Sequence, residues 1–128
     1  MSAAAKKIPG PDHPIAIQPT LDRVAVSFSG KTVADSANAL TLREAKYAPV
    51  QYIPKRDVRM ELLTPTAHKT YCPYKGDASY FSIKVGDRTV ENAVWCYETP
   101  YDAVAEIAGH LAFYPDRVDS IEIKKAED

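Results

Sequence analysis

The most constraining feature of the sequence is a stretch of strict alternation that ends in a glycine-first pair. Ser79–Val85 alternates, and a period of two places three apolar residues on one face of a β-strand: Phe81, Ile83 and Val85. Gly86-Asp87 follows, and a pair that begins with glycine suits the type II′ turn of a two-residue hairpin. The sequence therefore predicts an antiparallel hairpin whose return strand begins at Arg88.

The return strand, Thr89 to Glu98, is apolar on both faces. One face carries Val90, Val94 and Cys96, and the other carries Ala93, Trp95 and Tyr97. Such a strand either lies centrally between two packed layers or lines an aromatic cavity. The sequence leaves both alternatives open.

Other segments extend the β-pattern and add one helix. Strands are predicted at Arg23–Phe28, Thr32–Asp35, Ala39–Arg43, His110–Tyr114 and Val118–Lys124. A short helix is predicted after Thr99, which can cap it with Pro100 at its first position, and Gly109 is its expected stop. A shorter helical turn is predicted within Lys55–Leu63. The predicted fold class is mainly β, a single domain with one short helix.

Composition limits the class of protein and its partners. The chain has 128 residues, is 45% hydrophobic and 26% charged, and carries a formal charge of −1, which indicates one globular domain. We predict a flexible N-terminal lead-in at 1–12, a β-rich domain at 13–124 and a frayed tail at 125–128. Near-neutral charge and the lack of a ~20-residue apolar run predict no nucleic-acid and no membrane partner. Without an export signal, the expected location is cytoplasmic.

The densest chemistry lies in the segment Thr70–Gly76, which combines a thiol, an amine and two phenols with Pro73. Its proline and glycine predict a tight bend that holds Lys75 near Cys72, and a nearby ammonium favours a thiolate. Cys72 is therefore a candidate nucleophile and Lys75 a candidate catalytic partner. The alternative is that Cys72 is a buried apolar residue and Lys75 a solvated turn residue.

The sequence contains no spacing typical of metal or phosphate sites. Cys-x-x-Cys, His-x-x-x-His, phosphate loops and Asp-x-Asp are all absent. Cys72 and Cys96 are expected to remain thiols. We therefore expect no cofactor and no metal.

Aromatic residues suggest where a ligand would bind. Tyr80 can join Trp95 and Tyr97 across the predicted hairpin, with Tyr52 nearby, and such a cavity suits a flat ligand. Core packing alone is the alternative explanation. Arg43 and Asp57 are candidate polar anchors for the same ligand.

A series of short words in the sequence is similar to a known family. In order they are His13-Pro14-Ile15, Ala34-Asp35-Ser36, Leu42-Arg43-Glu44, Tyr52-Ile53-Pro54, Asp57 to Met60, Thr70 to Gly76, Ala78-Ser79-Tyr80, Asn92 to Trp95, Tyr97 to Pro100 and Ala112 to Pro115. From about His13 to Ile123 the chain resembles a bacterial family, domain of unknown function family 427, also labelled nucleotidyltransferase-like. The resemblance implies a twisted antiparallel sheet curled toward a partial barrel, a β-complex of Mss4-like architecture. The zinc-binding cysteine pairs of that architecture are absent here.

The expected function is a small-ligand pocket lined by aromatics and the Cys72–Gly76 bend. One activity for it is group transfer on a small phosphorylated or nucleotide-like ligand, with Lys75 stabilising negative charge. The alternative is a non-catalytic ligand-binding or protein-interaction module, and self-association through an exposed strand edge is a third hypothesis. Whether the protein is an enzyme stays open. All of these ligand hypotheses require the bend and the Trp95 strand to border one cavity.

Overall fold

Ten β-strands and three short 3₁₀ helices make up the computed structural model, which describes residues 5–125. The mainly β, single-domain prediction is confirmed, although the strands divide among three antiparallel sheets and none of these closes into a barrel. None of the described helices is long and apolar enough to cross a membrane. The strands are β1 (Ile15–Pro19), β2 (Arg23–Phe28), β3 (Lys31–Ser36), β4 (Leu40–Glu44), β5 (Val50–Tyr52), β6 (Leu63–Cys72), β7 (Gly76–Val85), β8 (Arg88–Cys96), β9 (Leu111–Phe113) and β10 (Ser120–Lys124).

The largest sheet has the order β6-β7-β8-β9 and contains the predicted hairpin. Val85 pairs with Arg88, so Gly86-Asp87 is a two-residue turn, and Gly86 has the positive φ of 59° that its first position needs. The prediction of this hairpin is confirmed. β6 was not predicted, because its sequence is mostly polar and contains Pro65, features that suit an edge strand.

The bend between β6 and β7 also forms as predicted. Cys72 pairs with Gly76, and the backbone N–H of Lys75 donates to the Cys72 carbonyl at 3.2 Å. Gly76 has a φ of 107°, which only glycine adopts readily. The N–H of Tyr101 donates to the Lys75 carbonyl at 3.0 Å and fixes the bend against the following segment.

A second sheet has the order β10-β2-β3 and supplies much of the core. Its central strand alternates as predicted, with every second side chain buried: Val24, Val26 and Phe28. Ser29 and Gly30 both have positive φ values, and Phe28 pairs with Lys31 across this two-residue turn. The third sheet, β1-β4-β5, contains the predicted short strand β4 between two strands too short or too mixed in pattern to have been predicted.

One pair of backbone hydrogen bonds connects the largest sheet to the third sheet. Ile53 and Leu111 exchange both N–H···O=C bonds at 2.8 Å, and both side chains are buried. This isolated bridge follows directly after β5 and begins β9, so it fixes the end of one sheet against the edge of the other.

The predicted helix forms as a 3₁₀ helix, Asp102–Ile107, and starts later than expected. Its N-cap is Tyr101 without a side-chain cap, so the predicted cap at Thr99 was wrong. The Tyr101 N–H donates to the Lys75 carbonyl in the β6–β7 bend, and Tyr101 itself has extended backbone angles, so the helix begins after it. Val104 and Ile107 are both fully buried. The backbone is not helical at Val104 (φ −128°, ψ 29°), so two short 3₁₀ turns meet at a kink there.

The chain ends were predicted to be flexible, and the structure describes only part of them. Residues 1–4 and 126–128 lie outside the described residues. Within the predicted lead-in, the N–H of Lys7 donates to the Pro73 carbonyl at 2.9 Å, and Gly10 bridges to His13. The segment before β1 therefore contacts the β6–β7 bend.

The buried side chain of Leu111 provides a test of how the sheets pack against each other at the Ile53–Leu111 bridge. We expect Leu111→Ala to lower the free energy of unfolding by about 3 kcal/mol, because it opens a cavity where the two sheets meet. Chemical denaturation monitored by circular dichroism measures the loss. Leu21→Ala removes the same atoms at a position that is 87% exposed and should change stability by less than about 0.5 kcal/mol. Equal losses in the two variants would contradict this account.

Candidate functional site

A cavity of about 270 Å³ lies where β4, β5, β7, β8 and the β6–β7 bend converge. Glu44 and Lys75 form its polar part. Six aromatic side chains line the rest together with Leu42, Ala48 and Val50: Tyr47, Tyr52, Tyr80, Trp95, Tyr97 and Tyr114. The bend and the Trp95 strand therefore border one cavity, as the sequence hypothesis required.

Strand register places the aromatic wall. Tyr80 of β7 pairs directly with Trp95 of β8, and Tyr97 lies two residues further on the same face. The opposite face of β8 packs into the main core through Val94 and Cys96. Strand β8 is thus an inner strand of its sheet that packs on the core with one face and borders the cavity with the other, so it has features of both alternatives.

The Ile53–Leu111 bridge brings Tyr52 to the same wall. The indole N–H of Trp95 donates to the Tyr52 hydroxyl at 3.1 Å, and the two rings meet edge to face with centroids 6.2 Å apart. Burial raises the pKa of the Tyr52 phenol, so its hydroxyl stays protonated at neutral pH. Burial raises the pKa of Tyr97 in the same way.

A second group of hydroxyls lies at Tyr80. Its phenol is hydrogen-bonded to the Thr70 hydroxyl at 2.9 Å and to the Tyr114 hydroxyl at 3.3 Å. Burial, followed by this hydrogen bond to Tyr80, raises the pKa of Tyr114 to about 12. The His68 ring meets the Tyr80 ring edge to face, with ring centroids 4.4 Å apart. The aromatic wall therefore contains two hydrogen-bonded groups, Trp95 with Tyr52 and Tyr80 with Thr70 and Tyr114.

The polar part of the cavity is a buried ion pair. Lys75 is only 7% exposed, and its ammonium donates a hydrogen bond to Oε1 of Glu44. The second carboxylate oxygen of Glu44 is 2.7 Å from Nε2 of His13. Burial raises the pKa of Glu44, but the hydrogen bonds and charges of Lys75 and His13 outweigh it, so the net pKa is lowered. Glu44 is therefore ionised at neutral pH.

The segment before β1 contacts Glu44 of this ion pair through His13. His13 stacks on Tyr74 with ring centroids 4.0 Å apart and planes 4° from parallel. The Pro14 carbonyl accepts a hydrogen bond from the Ala45 N–H at 2.8 Å. These contacts hold the imidazole against Glu44, which is itself fixed at the end of β4.

Five of the predicted site residues border the cavity: Tyr52, Lys75, Tyr80, Trp95 and Tyr97. Lys75 does so as a buried, paired ammonium and not as a solvated turn residue. Their roles in binding or catalysis stay predictions.

Arg43, Asp57 and Cys72 lie elsewhere. Arg43 is exposed on the opposite face of β4 from Leu42 and Glu44, because side chains alternate along a strand. Asp57 accepts a hydrogen bond from the Ser36 hydroxyl at 2.6 Å in a separate recess. Both therefore lie outside the cavity for which they were predicted as anchors.

Cys72 is not among the lining residues either, although it packs against the apolar cluster whose members Leu42, Tyr52, Tyr80 and Tyr97 line the cavity. Both cysteines are free thiols. Burial raises the pKa of Cys96 to about 12, so that thiol stays protonated. Within residues 5–125, no three His, Cys, Asp or Glu side chains group closely enough to hold a metal.

Glu44 and His13 were missed from the sequence. For Glu44 a signal existed, because the period of two puts it on the same face as the apolar Leu42. A carboxylate at an inward-facing position requires a partner. No local pattern indicates His13, whose contacts with Glu44 and Tyr74 join positions far apart in sequence.

The Lys75–Glu44 pair predicts a large and non-additive effect on stability. We expect Lys75→Met to lower the free energy of unfolding by about 3 kcal/mol, because Glu44 keeps its buried charge without its ammonium partner. Combining it with Glu44→Leu should restore part of the loss. Lys84→Met, at an exposed position of β7, should cost less than about 0.5 kcal/mol. Additive losses in the double variant, measured by urea denaturation, would contradict the pairing.

The lowered pKa of Glu44 also predicts a dependence of stability on pH. The folded state favours the ionised carboxylate, so this stabilisation is complete above the ordinary pKa of 4.5 and is lost as pH falls through the lower folded-state value. The stability advantage of wild type over Glu44→Gln should therefore shrink at acid pH. Thermal unfolding at a series of pH values measures it. Glu91→Gln, at an exposed position of β8, should show no such trend.

Comparison with known protein families agrees with the resemblance in the sequence. Residues 16–124 match the model of the family described as Domain of unknown function (DUF427). None of the curated proteins matches the chain. The matched segment contains nearly all ten strands and every residue that lines the cavity, whereas His13 precedes it. The chain therefore belongs to the DUF427 family.

Proposed function

We propose that this domain binds a small planar ligand in the aromatic cavity, with the polar edge of the ligand on the Lys75–Glu44 pair. The observation that carries the proposal is the convergence of six aromatic side chains and one buried ion pair on the same cavity. Pockets with mostly apolar walls and a few placed polar groups are typical of small-molecule sites.

The volume of the cavity limits the size of the ligand. About 270 Å³ lies just below the ~300–1,000 Å³ that small-molecule pockets usually have. A single or fused ring fits this volume, and any larger substituent has to extend from the open side. For a nucleotide-like ligand, the base would occupy the cavity and the sugar phosphate would lie outside it.

The ion pair determines which polar groups are suitable. Lys75 has three N–H donors, and among the described residues Glu44 alone accepts a side-chain hydrogen bond from it. A donor and an acceptor therefore lie side by side, and together they carry no net charge. This arrangement complements the edge of an amide or a heterocyclic base better than a phosphate dianion, which requires unpaired positive charge.

Group transfer on a phosphorylated ligand has less support than binding. Glu44 neutralises the ammonium that would stabilise a transferred phosphoryl group. Cys72, the candidate nucleophile, packs against the cluster that forms the cavity wall but does not itself line the cavity. Catalysis by Cys72 and Lys75 therefore stays a prediction, as does the protein-interaction alternative.

Trp95 is the only tryptophan, so its fluorescence reports binding in the cavity directly. We expect adenine, guanine or nicotinamide to quench its emission saturably and to raise the melting temperature. Ribose 5-phosphate and inorganic phosphate, which lack a planar aromatic ring, should do neither. If these two compounds bind and the planar ones do not, the proposal is wrong.

Variants distinguish cavity binding from surface contact. Ala48→Phe fills the open side of the cavity from an exposed loop position, so it should weaken binding at least about tenfold without loss of stability. Ala16→Phe adds the same ring at an exposed position on β1 and is the matched control. Cys72→Ser should leave ligand affinity unchanged. Loss of binding in that variant would show that the Cys72 thiol takes part in ligand binding.

A further inference from the structure

We propose that two copies of this chain associate through the free edge of β10, antiparallel and centred on Ile123. This edge belongs to the second sheet, and the association does not require a ligand in the aromatic cavity. Strand β10 pairs with β2 along one edge, and the described residues place no strand along the other. Such an edge presents unpaired N–H and C=O groups to a further strand.

The apolar face of β10 is incompletely covered. Ile121 pairs with Val26 and Ile123 with Val24, so both isoleucines share the face on which those valines are buried. Ile123 is nevertheless 52% exposed. The core layer of this sheet therefore continues to the molecular surface without a covering element.

An apolar recess adjoins the two isoleucines. Its volume is about 370 Å³, and it is lined by Ile121, Ile123, Val50, Phe113 and Pro115 among others. A second β10 strand placed edge to edge would carry its own Ile121 and Ile123 on the same face of the continuous sheet. These side chains would extend the apolar layer at the position where Ile123 is exposed.

The charged residues on the other face of β10 are complementary to those of a second β10 strand, and they favour one register of the pair. When Ile123 lies opposite Ile123 of the second copy, Glu122 of each strand lies opposite Lys124 of the other, which gives two attractive pairs. When Glu122 is the centre, the two Glu122 side chains oppose each other. Only the register centred on Ile123 is both face-matched and charge-matched at positions 122 and 124.

The same two residues also explain why the edge does not repel a partner. A lysine on an edge strand ordinarily discourages pairing. Here Nζ of Lys124 lies 3.6 Å from Oε1 of Glu122 on the same strand. The charges of these two side chains therefore cancel along the edge. Both side chains are exposed and free to exchange partners between copies.

A charge-swap experiment tests the association and its register together. We expect wild type to dimerise reversibly in sedimentation equilibrium between about 1 µM and about 1 mM, the range of weak to moderate affinity. Glu122→Lys and Lys124→Glu should each raise the dimer Kd at least about tenfold, because each variant places like charges opposite each other. A mixture of the two variants should dimerise again, since the lysine introduced into one chain then lies opposite the glutamate introduced into the other.

Controls separate this result from misfolding and from other interfaces. Both substitutions lie at exposed positions, and circular dichroism should show unchanged folding. Lys31→Glu makes the same charge reversal at an exposed position of β3, on the opposite side of the sheet from β10, and should leave the Kd unchanged. Wild type that stays monomeric at about 1 mM, or a mixture that does not recover dimerisation, would overturn the proposal.

Discussion

The two backbone hydrogen bonds between Ile53 and Leu111 are the constraint on which the site depends. They join the end of β5 to the start of β9, and hence the third sheet to the largest one. Without this bridge, Tyr52 and Trp95 belong to separate sheets, and no other described backbone pairing brings them together. Because the bridge lies one residue from Tyr52 and its partner strand pairs with Trp95, it fixes the distance across the aromatic wall.

A second junction, the Lys75–Glu44 pair, has a different physical character. The backbone bridge pairs N–H and C=O groups that need hydrogen-bond partners in any fold. The ion pair instead removes two charges from water, and only a close, well-oriented contact offsets the desolvation free energy. Gly76 and the hydrogen bond from Tyr101 hold the bend that aims Lys75 inward. Hydrophobic residues of similar size often replace a buried ion pair without loss of stability, so stability alone does not explain why this pair is polar.

Local patterns predicted the elements well and the site only in part. Alternation predicted the β7–β8 hairpin and the face shared by Tyr80 and Trp95, because strand period and turn chemistry are properties of neighbouring residues. Arg43, predicted as a polar anchor, lies on the face of β4 opposite to Glu44, and Glu44 is the residue that borders the cavity. His13 was beyond local reasoning, since its partner is 31 residues away. Strand β6 was not predicted because it is mostly polar, and an edge strand can form without an alternating apolar pattern.

Strand β8 explains why a cavity can persist next to a close-packed core. Its two faces serve different purposes: Val94 and Cys96 fill the main core, while Trp95 on the opposite face borders the cavity. Close packing behind the strand fixes the backbone, and hydrogen bonds to Tyr52 and around Tyr80 then fix the rings in front of it. Collapse of the cavity would break these bonds or displace the core behind them. The empty volume is therefore maintained by the same residues that stabilise the fold, and the proposed binding of a ligand would need no rearrangement of the cavity wall.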